Sequence, residues 1–112
     1  MDRLAVAVAQ DGPGRYVITL AGELDLAAAE GFWGELEPLI EPAGVVVLDG
    51  TELRFLDSSG LRVLLLANAK AKEVGGKLRL IAPHRAVKRT LQVTGADELV
   101  TMCETLDEAL VA

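Results

Sequence analysis

Four consecutive apolar residues, Val45-Val46-Val47-Leu48, follow the turn signal Pro42-Ala43-Gly44 and constrain the fold more than any other stretch. A strand with one wet face alternates apolar and polar side chains. This run does not alternate, so it reads as a central strand covered on both faces. The chain ahead of it supplies neighbours. Leu4, Val6 and Val8 alternate with small or polar residues and predict a first strand. Asp11-Gly12-Pro13-Gly14 is a dense turn signal, and Tyr16-Val17-Ile18-Thr19-Leu20 follows as a second strand. So short and Gly-rich a connection favours an antiparallel hairpin. Gly22-Glu23-Leu24-Asp25 ends that strand, and Asp25 reads as the N-cap of a helix over residues 26–39. Ala27, Ala28, Ala29 and Glu30 favour helix, while Gly31 and Gly34 each weaken it by ~1 kcal/mol relative to Ala if exposed. Leu36, Leu39 and Ile40 fit a core-facing stripe that Trp33 extends. Strand, helix, strand in succession predicts a parallel crossover.

The stretch from Leu48 to Leu61 reads as the end of the buried strand, a short loop, and a helix start. Asp57 and Ser58 are both good N-cap residues, because a short side-chain oxygen accepts from the free N–H groups of the first turn. That leaves the hydroxyl of Ser59 at a helix N-terminus, beside unpaired N–H donors and the positive end of the helix dipole, which suits a phosphate. Gly60 removes side-chain bulk next to it, so another protein can approach closely. Leu61, Leu64, Leu65 and Asn68 give one face of a helix to about residue 74. Val63, Leu66 and Ala67 make its first turns apolar nearly all round. Such a helix is either deeply buried or waits for a partner. Gly75-Gly76 stops it. A fourth strand is predicted over 77–82, a third helix over 86–93 after Pro83-His84-Arg85, a short fifth strand over 98–102, and a last helix over 106–111 capped by Thr105. Strands alternating with helices predict an α/β fold around a mixed sheet.

Composition narrows the function. The 112 residues suffice for one domain, residues 1–112, and 51% of them are apolar, so a core can form. Eleven basic against seventeen acidic residues give a net charge of −6, which argues against a nucleic-acid or anionic-membrane surface. The most basic stretch, from Lys77 to Arg89, is spaced along a strand and a helix and reads as a solvated face. Cys103 is the only cysteine, so it cannot form an internal disulfide, and it reads as a small buried apolar residue. With no stretch of about 20 apolar residues and no signal-peptide layout, a cytoplasmic protein is expected.

Several chemistries fail on spacing. A phosphate-binding P-loop needs Gly-x-x-x-x-Gly-Lys-Ser/Thr, but Gly76-Lys77 is followed by Leu78 and preceded by Ala71 where the first glycine belongs. A nucleophile elbow needs Gly-x-Ser-x-Gly, and Leu56 precedes Ser58. His84, the one histidine, reads as a loop residue. Asp25, Asp49 and Asp57 could together bind Mg²⁺, or could equally be two helix caps and a turn residue. A serine at a helix start beside carboxylates remains. Its phosphorylation adds about −1.5 to −2 charges and three acceptor oxygens. The helix N-terminus tolerates that charge; Asp57, Asp25 and a packed partner surface do not.

The motifs Gly22-Glu23-Leu24-Asp25, Val46-Val47-Leu48-Asp49, Phe55-Leu56-Asp57-Ser58-Ser59-Gly60-Leu61, Ala82-Pro83-His84-Arg85-Ala86-Val87-Lys88-Arg89, Thr94-Gly95 and Thr105-Leu106-Asp107-Glu108-Ala109-Leu110 occur in that order. In this the chain resembles the STAS domain of bacterial anti-sigma factor antagonists. The resemblance spans nearly the whole chain, and its Asp-Ser-Ser-Gly-Leu block is quite specific. It implies a STAS-like single domain: a mixed four- to five-stranded sheet with about four helices packed mainly on one side. It also implies a mechanism. The unphosphorylated antagonist binds an anti-sigma factor serine kinase and frees a sigma factor. The kinase uses ATP and Mg²⁺ as its own co-substrates to phosphorylate Ser59, and a PP2C-type phosphatase reverses this. Asp25, Asp57, Ser58, Gly60 and Leu61 are the expected partner-binding residues. The domain is expected to be no enzyme, to hold no cofactor or metal, and to be a monomer when free. The alternatives are a STAS interaction module of another signalling or transport-associated complex, and a serine hydrolase using Ser58 or Ser59.

Overall fold

The computed structural model describes residues 3–111 of the chain. Its elements are β1 (Ala5–Gln10), β2 (Arg15–Leu24), α1 (Leu26–Leu36), β3 (Val45–Leu56), α2 (Ser58–Glu73), β4 (Lys77–Ile81), α3 (Arg85–Thr94), β5 (Thr101–Cys103) and α4 (Leu106–Val111). The strands form one mixed sheet in the order β1-β2-β3-β4-β5. β1 and β2 are the predicted antiparallel hairpin, and every later pairing is parallel. Among the described residues, no helix is long and apolar enough to cross a membrane.

The Val45–Leu48 run is covered on both faces, as its lack of alternation requires. Val46 and Leu48 pack in the main core with Ile18, Leu20, Leu78 and Leu80 of the sheet, Phe32 and Leu36 of α1, Val63 and Leu64 of α2, and Val87 and Leu91 of α3. Val47 points the other way and packs with Ile81, Cys103 and Ala109 of α4. Three helices therefore cover one face and a single short helix covers part of the other. Each fully buried Leu or Val contributes roughly 1.5–3 kcal/mol. Among the described residues Asn68 is the one buried polar side chain. Its Nδ2 donates to Leu99 O at 3.0 Å and ties α2 to the segment before β5.

Four boundaries differ from the sequence reading. The first helix stops at Leu36, and Glu37-Pro38-Leu39 form a 3₁₀ turn, because proline cannot donate into a continuing helix. β1 is longer than its alternation suggests, since pairing runs on to Gln10↔Tyr16. Gly95 adopts φ 78° after α3 and turns the chain into a 3₁₀ segment at Ala96–Glu98, which delays β5 to Thr101. The largest difference is β3. Residues 49–56 were expected to leave the sheet, yet β3 continues to Leu56, paired with β2 as far as Leu24↔Leu56 through two register shifts. Its pairing with β4 ends at Asp49↔Ile81. Asp49-Gly50 looks like a turn but marks a close backbone approach: a Cβ on Gly50 would lie 2.7 Å from Ile81 O. Beyond it β3 keeps β2 as its neighbour, and Leu53 and Leu56 stay buried in the main core.

Cys103 is buried, and burial is the main cause that pushes its thiol above the ordinary range, with the Glu108 carboxylate adding to it and Arg79 opposing it. A raised pKa means less thiolate at neutral pH, and thiolate is the reactive form. Alkylation by iodoacetamide at pH 7.5 should be at least tenfold slower in the native protein than in urea-unfolded chain. The native rate should still be climbing at pH values where a free thiol has levelled off.

Candidate functional site

Leu24 and Leu56 are paired neighbours at the ends of two parallel strands, so α1 and α2 begin side by side. Each helix start leaves N–H groups without intrahelical acceptors and presents a positive dipole end. Two aspartates answer this. Asp25 caps α1, its Oδ1 accepting from Ala28 N at 3.1 Å. Asp57 caps α2, its Oδ1 accepting from Gly60 N at 2.9 Å, while its Oδ2 accepts from Leu26 N of α1 at 3.0 Å. Its own N–H donates to Leu24 O at 3.3 Å. One carboxylate thus joins the first turns of both helices.

The remaining residues follow from that cap. With Asp57 as N-cap, Ser58 and Ser59 occupy the first two positions of α2. Ser58 is exposed and takes no capping role. Ser59 is half-buried, and its hydroxyl makes no hydrogen bond among the described residues. Leu61 is half-buried against the core, with its N–H donating to Asp57 O at 2.9 Å. Gly60 corrects the sequence reading. It is buried, and a Cβ there would collide with Leu24 O and come within 2.7 Å of Leu24 Cγ and 2.8 Å of Leu56 Cδ1. The missing side chain makes room for the protein's own β2 and β3 rather than for a visitor.

The Mg²⁺ reading of Asp25, Asp49 and Asp57 is not supported. The Asp49 carboxylate accepts from Thr51 N at 3.1 Å and Thr51 Oγ1 at 2.6 Å, and the three do not form a metal-binding group among the described residues. His84 stands at the start of α3 and does not line the groove that holds Ser59. Its Nδ1 faces Ala86 N at 3.4 Å.

Ser59 opens onto a groove of about 310 Å³ between α1 and α2, walled by Leu26, Trp33 and Leu66 and edged by Glu30 and Arg62. Leu26 is 75% and Leu66 42% exposed, so the groove is apolar and reachable. Phe55, 44% exposed, adds apolar surface two residues before Asp57. Sequence reasoning missed these walls. Trp33 does pack, half-buried, against the main core as the stripe reading has it, and it also lines the groove. The signal was present in α2, whose first turns are apolar nearly all round: Val63 and Leu64 turn inward and Leu66 outward. A larger crevice of about 560 Å³ beyond β4 and β5, lined partly by Cys103, Lys88 and Glu108, holds none of the expected site residues.

Residues 8–101 match the family model described as "Mlab, STAS domain". The chain is 31% identical over 65 residues to a putative anti-sigma factor antagonist, a TM1081 homolog from Thermotoga neapolitana, an alignment covering 58% of each chain. It is similar to the crystal structure of an anti-sigma factor antagonist from Mycobacterium paratuberculosis, with 28% identity, coverage of 98% and 93%, and a TM-score of 0.80. It is also similar to SpoIIAA. The unphosphorylated form matches at 25% identity, coverage of 95% and 93%, and TM-score 0.80; the phosphorylated Bacillus form matches at 25%, 96% and 97%, and 0.73.

Two stability effects test the local account. Asp57→Ala removes a cap from α2 and an acceptor from α1, and should cost about 2 kcal/mol in urea unfolding. Asp57→Asn, which keeps one acceptor oxygen, should cost about half as much. Gly60→Ala should destabilise by about 2–3 kcal/mol through the clash with Leu24, outweighing the ~1 kcal/mol that alanine gains in helix propensity.

Proposed function

This chain belongs to the STAS domain family, and we propose that within it the protein is an anti-sigma factor antagonist whose Ser59 switches a docking surface. Unphosphorylated, it docks through the α1/α2 groove and the start of α2 onto an anti-sigma factor that is itself a serine kinase, and a sigma factor is freed. The kinase transfers the phosphoryl group of ATP to Ser59 with Mg²⁺, and the complex dissociates. A PP2C-type phosphatase restores the hydroxyl. The domain supplies the acceptor and the docking surface, and the catalytic groups belong to its partners.

The observation that carries this reading is the Ser59 hydroxyl: reachable, unbonded within the fold, and set at the end of an apolar groove. A STAS module of another complex would share the fold without needing that arrangement. The solved unphosphorylated and phosphorylated forms of SpoIIAA support a phosphate-dependent role in this family. The energetics support it as well. A phosphate at Ser59 meets the free N–H groups of the first turn of α2, an interaction of about 0.3–1 kcal/mol, with Arg62 on the same groove. The fold therefore tolerates the charge. A partner seated on Leu26 and Leu66 would have to desolvate a dianion beside Asp57 and Asp25, at a cost of several kcal/mol.

The test is to incubate the protein with candidate anti-sigma kinases and ATP-Mg²⁺, map the modified residue by mass spectrometry, and measure binding. Phosphate should map to Ser59. Ser59→Ala should bind as wild type and resist release by ATP. Ser59→Asp should keep wild-type stability within about 1 kcal/mol and bind roughly 30-fold more weakly. Equal binding by Ser59→Asp and wild type would refute the switch.

A further inference from the structure

The edge of the sheet at β1 is open. β1 pairs with β2 on one side, and among the described residues nothing pairs on the other. Its sequence, Ala5-Val6-Ala7-Val8-Ala9-Gln10, has no charge and no proline, and its register with β2 is unbroken from Ala5↔Ala21 to Gln10↔Tyr16. Charges, prolines, bulges and shortness are the devices that keep an edge strand from pairing with another chain. The opposite edge, β5, is only three residues long. Val8 adds a second observation. It stands opposite Ile18 on the core face of the sheet; Ile18 is 1% exposed and Val8 is 49% exposed.

We propose that β1 pairs antiparallel with β1 of a second copy, joining two sheets across a twofold axis at Ala7. A twofold perpendicular to the sheet keeps each residue on its own face, so the register must pair positions of like parity. Centring on Ala7 places Val6 opposite Val8 of the second copy, twice, which covers the exposed Val8 side chain. The same register brings Arg3 opposite Asp11 of the second copy at both ends of the ladder. Centring one residue away in either direction loses both charge pairs. This complementarity matters because two chains of net charge −6 repel each other generally. The neutral strand with opposite charges at its ends is a place where they need not. Asp11 already holds Arg15 at 3.3 Å, and an exposed carboxylate has acceptor sites to spare for a second cation. This association is independent of the Ser59 switch, and it revises the expectation of a free monomer.

Sedimentation equilibrium across micromolar to millimolar protein tests it. Wild type should pass from monomer to dimer as concentration rises. Val8→Lys, which puts a charge on the ladder, should stay monomeric throughout while unfolding as wild type does. Arg3→Asp and Asp11→Arg should each dimerise roughly fivefold more weakly than wild type. A mixture of the two should associate about as well as wild type, because each copy then faces its opposite. General charge repulsion predicts instead that Asp11→Arg, being less negative, dimerises better than wild type, and that result would overturn the pairing. So would a wild type that is monomeric at every concentration, or a dimer indifferent to Val8→Lys. Should Val8→Lys fail to fold, the charge exchange decides.

Discussion

The Asp57 carboxylate is where the geometry of this domain is decided. Parallel strands β2 and β3 end side by side, which forces two helix N-termini into contact. Two positive dipole ends repel, and both first turns carry N–H groups with no acceptor. One residue with two acceptor oxygens, held at the end of β3 by its N–H to Leu24 O, relieves both. Gly60 completes the arrangement by letting α2 settle against Leu24 and Leu56. The groove between the helices, and the position of Ser59 at its end, follow from these contacts.

Much of this was legible in the chain because it rests on local chemistry. The lack of alternation at Val45–Leu48 required two covered faces, and both are covered. Asp25 and Asp57 were readable as caps because capping depends on one side chain and the turn beside it. The extension of β3 through Leu56 was not legible. Glycine in Asp49-Gly50 signals a turn and a close strand approach equally well, and only pairing with β2 separates them. The role of Gly60 was misread for the same reason: a missing side chain marks a close approach without saying from which side. The groove walls were hidden because Leu26, Trp33 and Leu66 lie on two helices, and exposure depends on how far apart those helices stand.

The arrangement also bears on how a switch at Ser59 can work. A modification shifts a conformational equilibrium only through a difference in its interactions with the two states. The Ser59 hydroxyl bonds nothing within the described fold, so adding a phosphate breaks no internal contact. The capping oxygens that hold α1 and α2 belong to Asp57, two positions earlier, and they are occupied. The structural carboxylate and the hydroxyl proposed to carry the phosphate thus sit on separate residues, two apart in sequence. Both phosphorylation states of SpoIIAA share this chain's fold, which agrees with a switch written in surface charge. On this reading the selectivity of the switch comes from the apolar walls beside Ser59. The same dianion in open water would be screened over a Debye length of about 8 Å, but against Leu26 and Leu66 a partner must strip its water, and the penalty falls on the complex rather than on the fold.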